Sequence, residues 1–96
     1  NGPEENNIPF VNKLEQNYPN PFNASTKITY TLVKNTSLVI DVYDANGEFV
    51  EKLLQTRQGP GEFSVSWDAT NYPSGIYFYS LRTDQGNYYG KAVLVK

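Results

Sequence analysis

Glu62-Phe63-Ser64-Val65-Ser66-Trp67 decides the fold. Phe63, Val65 and Trp67 fall on one face, and Glu62, Ser64 and Ser66 on the other. Successive side chains of a strand point to opposite faces of its sheet, so this period of two predicts a half-buried strand. The same period recurs upstream. Ile28, Tyr30 and Leu32 alternate with Lys27, Thr29 and Thr31, and Leu38, Ile40 and Val42 alternate with Val39, Asp41 and Tyr43. Downstream, Gly75–Thr83 (GIYFYSLRT) is apolar on both faces, with Tyr77, Tyr79 and Leu81 on one and Ile76 and Phe78 on the other. That pattern predicts a central strand covered on both sides. Tyr88–Val95 (YYGKAVLV) predicts a final strand, with Gly90 as a bulge or a point of close packing. In residues 48–55 the spacing of Phe49, Val50, Leu53 and Leu54 is helix-like, but the stretch is short and follows a hairpin turn, so it is read as a strand.

The connections carry turn chemistry. Asp44-Ala45-Asn46-Gly47 contains Asn-Gly, a strong hairpin signal. Gln58-Gly59-Pro60-Gly61 and Asp84-Gln85-Gly86-Asn87 are further turns. Tyr72-Pro73-Ser74-Gly75 has the Pro and Gly placement of a type I turn. Six or seven short strands separated by such turns predict an all-β, antiparallel β-sandwich with no helix longer than a turn.

Two segments precede these strands. Residues 1–13 are polar and turn-rich and read as a linker or lead-in, in which Ile8, Phe10 and Val11 could dock as a short edge strand. In Gln16-Asn17-Tyr18-Pro19-Asn20-Pro21-Phe22-Asn23, two X-Pro steps keep Tyr18 and Asn20 out of the helical region. The segment reads as a rigid extended loop over the end of a sheet, with Tyr18 and Phe22 as its anchors. The remainder, 14–96, reads as one sandwich domain.

Composition removes whole classes of function. The 96 residues hold no Cys and no His, so Cys/His zinc sites, disulfides, thiol catalysis and the Ser-His-Asp arrangement are excluded. A net charge of -2 and a pI near 4.9 provide no basic field for nucleic acid. No apolar run approaches the length of a membrane-spanning helix. The chain has no Met, which predicts a processed protein or a piece of a longer one. With 8 Tyr, 5 Phe and a single Trp in so short a chain, the aromatic residues are expected in the core. Exposed on a sheet face they could instead stack on sugar rings, so a carbohydrate-binding module and a structural spacer remain alternatives. The carboxylates fall mostly at turns and on polar strand faces, and Asp41 is expected on a solvated face. Asp44–Glu48 lacks the length and ligand spacing of a calcium loop. There is no glycine-rich phosphate cradle. No catalytic residue, metal site or cofactor is predicted. Lys91-Ala92-Val93-Leu94-Val95-Lys96, an apolar strand between two cations, reads as a closing strand or one offered to a partner.

Several segments taken together resemble one family: Leu14 to Asn23 (LEQNYPNPFN), Ser25 to Leu32, Val42 to Gly47, Trp67-Asp68, Ser74 to Leu81 and Lys91 to Lys96. In this order, over residues 14–96, they look like the C-terminal sorting domain of the bacterial type IX (Por) secretion system, which is related in shape to the immunoglobulin-like domain of flagellar hook-capping proteins. The resemblance implies an immunoglobulin-like sandwich of about seven strands with no enzymatic activity. It implies a sorting signal behind an N-terminal cargo domain, often a hydrolase or adhesin of a Bacteroidetes-like Gram-negative cell. The partners implied are the outer-membrane translocon and its shuttle proteins, and a sortase-like peptidase that cuts in or before residues 1–13. The implied destination is the cell surface or the medium, by way of the periplasm. Carried over by position, Lys91, Ala92, Val93, Leu94, Val95 and Lys96 with Ser74 and Gly75 match the late motifs associated with recognition, and Asn46-Gly47 matches the mid-domain hairpin. Asn17, Tyr18, Pro19, Asn20, Pro21, Phe22, Asn23, Trp67, Tyr77 and Tyr79 match the structural motif positions.

Overall fold

A computed structural model describes residues 11–96; Ile8 and Phe10 of the suggested docking strand lie outside them. The described residues form seven strands and no helix: β1 (Lys13–Leu14), β2 (Ser25–Leu32), β3 (Thr36–Asp44), β4 (Phe49–Gln58), β5 (Gly61–Asp68), β6 (Gly75–Thr83) and β7 (Gly86–Leu94). They make two sheets, ordered β1-β2-β5 and β4-β3-β6-β7, with every strand pair antiparallel. The Gly59-Pro60 connection therefore does not close a hairpin; it carries the chain from β4 in one sheet to β5 in the other.

The alternating residues meet between the sheets. Ile28, Tyr30 and Leu32 of β2 face Leu38, Ile40 and Val42 of β3 and Tyr77, Tyr79 and Leu81 of β6, and all are buried. Trp67 sits near one end of this core. Its ring centroid lies 5.5 Å from Phe22, 5.3 Å from Tyr77 and 5.9 Å from Tyr72. Such tilted and edge-on contacts are the favoured geometries of aromatic pairs. The central position expected of β6 is observed, but not the covering of both its faces. Ile76 and Phe78 project from the outer face, 43% and 38% exposed, because the second sheet packs on one side only.

β4 shows why its spacing looked helical. Its pairing with β3 slips at two places, between Ile40 and Asp41 and between Val42 and Tyr43. The register skips Leu53 and then Val50, so each is the extra residue of a β-bulge. Each bulge resets the in–out alternation. Val50, Leu53 and Leu54 can then all pack against the core from one strand.

Asp41 departs from expectation. It lies on the outer face of β3 as alternation requires, yet it is only 3% exposed. The Arg82 guanidinium reaches it from β6 at 2.6 Å, and the Tyr43 hydroxyl stands 3.5 Å away. A long cationic stem and a ring cover the carboxylate where the sheet itself does not.

Candidate functional site

The Asn46-Gly47 hairpin forms, with Gly47 as its pivot. The Gly47 N–H donates to the Asp44 carbonyl at 2.9 Å, and the Asp44 N–H donates to the Glu48 carbonyl at 2.9 Å. The Asp44 carboxylate accepts from the N–H groups of Asn46 and Glu48 at 2.9 and 3.0 Å. Gly47 has φ +83, and no other residue type among those described has a positive φ. Asn46 thus stays in ordinary backbone space, and the loop is a three-residue turn with a glycine bulge rather than a two-residue one.

The turn expected at Tyr72–Gly75 is displaced. The hydrogen-bonded turn closes earlier, with the Tyr72 N–H donating to the Ala69 carbonyl at 3.0 Å. Pro73 then accepts a 2.6 Å bond from the Tyr77 hydroxyl. Ser74 receives the Lys96 N–H on its hydroxyl at 3.0 Å, the Lys96 ammonium donates to the Thr70 carbonyl, and Gly75 pairs with Leu94. Ser74, Gly75 and residues 94–96 therefore share one end of the sandwich. The β3–β4 hairpin opens at the same end, because Asp44 pairs with Tyr77 near the start of β6.

The Gln16–Asn23 segment is the unexpected part of this end. It is read from sequence as a loop anchored by two aromatic residues, but Tyr18 is 81% exposed and Asn17 is buried in its place. The Asn17 side chain donates to the Pro19 carbonyl at 3.1 Å and to the Thr26 hydroxyl at 3.0 Å, and Thr26 donates on to Pro19 at 2.8 Å. The Asn17 N–H donates to the Tyr79 hydroxyl at 2.9 Å, which itself donates to the Glu15 carbonyl at 2.8 Å. A buried amide with several donors and acceptors can tie a loop together where a ring could only fill space. Phe22 is the anchor that the sequence predicts: it is buried against Trp67. The folded body also includes Asn12 and Lys13, from the stretch read as a lead-in. The Asn12 side chain is buried and accepts the Val33 N–H at 2.9 Å, and Lys13 pairs with Thr31.

The same segment laces onto the outer edge of β7. Gln16 donates to the Lys91 carbonyl at 2.7 Å. The Val93 N–H donates to the Asn20 side chain at 2.9 Å. The Phe22 N–H donates to the Val93 carbonyl at 2.9 Å, and the Val95 N–H donates to the Phe22 carbonyl at 2.8 Å. In a two-sheet fold β7 would be a bare edge, with a row of unpaired backbone groups. Here the protein's own loop occupies the lower half of that row, so over Val93–Val95 a partner strand would find the edge already filled. Pro19, Pro21, Phe22, Asn23 and Val95 line a shallow open depression along the seam.

The three aromatic residues on which sugar stacking would depend do not offer faces to solvent: Trp67, Tyr77 and Tyr79 are all buried. On the outer face Phe49, Tyr43 and Phe78 stand side by side on β4, β3 and β6, but Phe49 meets Tyr43 edge-on, at 78°, not as a flat platform. Among the described residues no group of three His, Cys, Asp or Glu gathers to hold a metal ion, and no helix is long and apolar enough to cross a membrane.

Comparison with known proteins agrees with this architecture. A search of curated proteins found no match. Among solved structures, the crystal structure of dimeric latent PorU from Porphyromonas gingivalis contains a similar region, with a TM-score of 0.67 and 18% identity over 90% of this chain and 10% of that one. At that identity the likeness shows a shared fold, and this chain corresponds to a small part of the larger protein. Residues 16–96, from the lacing loop through β7, match the model of the family described as the secretion system C-terminal sorting domain. The chain belongs to that family, and is a sorting signal of the type IX secretion system.

Proposed function

We propose that the address of this sorting signal is a folded surface: the seam where Gln16–Asn23 is laced to Lys91–Lys96, with Ser74 and Gly75 beside it. The observation that carries this reading is the set of four hydrogen bonds joining Gln16, Asn20 and Phe22 to Lys91, Val93 and Val95. They turn two segments at opposite ends of the domain's sequence into one contiguous shape. A receptor reading that shape needs the domain folded and takes no strand from it. This differs from strand donation by Lys91–Lys96, since the N–H groups of Val93 and Val95 are engaged internally.

On this reading the domain follows an N-terminal cargo domain, passes with it through the periplasm, and engages the outer-membrane translocon and its shuttle proteins by the seam. A sortase-like peptidase then separates cargo from tag in or before residues 1–13. The Asn46-Gly47 hairpin lies at the same end, two strands from β7 across the sheet, and could border the contact surface.

The test is a transplant. Residues 1–96 are fused behind a periplasm-exported fluorescent protein in a host with a working type IX system, and the same fusion is placed in a translocon-deficient strain. Three exposed seam substitutions, Tyr18→Ala, Val95→Asp and Lys96→Glu, are compared with Arg57→Ala at the far end. Circular dichroism checks that each variant folds. The seam variants are expected to hold the fusion in the periplasm with their melting unchanged, while Arg57→Ala is exported normally. Export of all three seam variants at the parent level would defeat the proposal.

A further inference from the structure

The four edges of the two sheets are not equally protected. β1 is only two residues long. β4 carries two bulges and exposed Lys52 and Arg57. β7 is laced by the Gln16–Asn23 loop. Short length, bulges, edge cations and a covering segment are the usual devices against unwanted strand pairing. Among the described residues β5 has no bulge, no cation and no cover, and its charges are the carboxylates of Glu62 and Asp68, near its two ends. Its eight residues, Gly61–Asp68, pair with β2 without a register slip and contain no Lys, Arg or Pro.

The directions of its backbone groups follow from its neighbours. The Ala69 N–H donates to the Ala24 carbonyl, and ladder bonds recur at every second residue of an antiparallel pair. The odd-numbered residues of β5 therefore bond to β2. The N–H and C=O groups of Glu62, Ser64, Ser66 and Asp68 point away from it, and these four residues are exposed. The inner side of this edge is also incomplete. Three strands lie over four, with β1 near β7 and β5 near β4. Phe63 and Val65 of β5 and Leu53 and Leu54 of β4 are only partly buried where the smaller sheet ends.

We propose that β5 is a docking edge that accepts an added antiparallel strand from a partner protein, one with alternating apolar residues and a cation at each end. The apolar residues would continue the inner face beyond Phe63 and Val65, over Leu53 and Leu54. The cations would stand opposite Glu62 and Asp68, six positions apart and the only charged groups on this strand, a span of roughly 20 Å in extended chain. Charge selects against other occupants. A second copy in full antiparallel overlap would set Glu62 against Asp68 twice, and like charges directly opposite destabilise a pair. The chain's own first ten residues carry Glu4 and Glu5 and no cation. Main-chain hydrogen bonds would supply affinity and the alternate side chains specificity. This edge is distinct from the β7 seam, so the proposal does not depend on where the translocon reads the tag.

The probe is the peptide acetyl-KVTVTVK-amide, added to the 15N-labelled chain at low salt. Hydrogen exchange at the Ser64 and Ser66 amides is expected to be fast in the free protein and at least tenfold slower at saturating peptide. Acetyl-EVTVTVE-amide should bind at least tenfold more weakly. A peptide N-methylated at both Thr residues, which lacks the two central donors that would face Ser64 and Ser66, should not slow exchange at those amides. Ser64→Pro removes an N–H that β2 does not use and should abolish binding, while Ser64→Ala should bind as the parent does. The two peptide controls act on the unmodified protein and decide the matter even if the proline variant misfolds. Three results would overturn the proposal: Ser64 and Ser66 amides already protected in the free chain, equal binding of the N-methylated or acidic peptide, or protection confined to β7.

Discussion

The ring of Tyr79 lies against Gly90, its partner on the neighbouring strand, so closely that a β-carbon at position 90 would stand 2.3 Å from Cζ and 2.5 Å from the hydroxyl oxygen. Gly90 is the space into which Tyr79 folds, and the two hydrogen bonds on its hydroxyl hold the ring there. Covering a strand glycine with a cross-strand aromatic ring restores packing that the glycine lacks.

Gly90→Ala should therefore destabilise the domain by about 2–3 kcal/mol, at the upper end for overpacking, because the ring cannot swing aside without breaking two bonds. In a Tyr79→Ala background the same change should cost less than about 1 kcal/mol. Urea titration of the four proteins measures this coupling, as residues in contact do not act additively. Equal costs in both backgrounds would show that the ring is not what Gly90 accommodates.

Tyr79→Phe keeps the ring and removes only the hydroxyl. It leaves the Asn17 N–H and the Glu15 carbonyl without their partner, at a cost of about 1–3 kcal/mol. Burial also raises the phenol pKa of Tyr79 above its ordinary value of 10.0, and burial raises those of Tyr30 and Tyr77. In the unfolded chain these phenols ionise first, so the native state holds more protons above pH 10 and stability must fall as pH rises. Their contribution is fully present below about pH 9 and is lost as the pH climbs through their raised values. The urea midpoint between pH 7 and 11 should show this decline, and Tyr79→Phe should make it shallower.

Arg82 and Asp41 should respond unequally to substitution. The Asp41 side chain is 4% exposed and that of Arg82 48%. Arg82→Met strands a buried carboxylate and should cost about 2–4 kcal/mol. That is somewhat below a fully buried pair, because water can reach the vacated side. Asp41→Asn leaves a cation that solvent can still reach, and should cost less than half as much. Thermal melts of the two variants at pH 7 decide the order.

Phe22→Ala should cost about 3–5 kcal/mol by opening a cavity beside Trp67, while Tyr18→Ala should change stability by less than about 0.5 kcal/mol, as expected for an exposed side chain. Urea midpoints for the pair test whether Phe22, and not Tyr18, is the aromatic anchor of the loop.

Much of this was legible in the residues. The alternation at Phe63/Val65/Trp67, Ile28/Tyr30/Leu32 and Leu38/Ile40/Val42 names the inward faces correctly, because a strand's side-chain period is fixed by its backbone. The unusual patterning of β4 was harder, since a bulge leaves no mark in sequence except a broken period, and a broken period also suits a helix. The exposure of Ile76 and Phe78 depends on how many layers the fold has, which no single strand encodes. The exchange of roles between Tyr18 and Asn17 is instructive. Hydrophobicity favours the ring as the anchor, but beneath the loop the Pro19 carbonyl, the Thr26 hydroxyl and the Gln16 amide offer polar partners, which the Asn17 amide satisfies. Burial of Asp41 came from side chains on its own outer face, which strand periodicity does not describe. The family's motif positions pointed to both halves of the seam, though only the structure joined them through Asn20, Phe22 and Val93.

That junction sets a condition on biosynthesis. Phe22 meets Leu94 as a bridge partner, so the Gln16–Asn23 loop cannot close until β7 has been made and has cleared the ribosome. A polypeptide that stops before β7 leaves the loop's backbone groups and the Phe22 side chain without their seat. If the export machinery reads the closed seam, each molecule reports by its shape that its tag was synthesised in full, and prematurely terminated cargo carries no valid label.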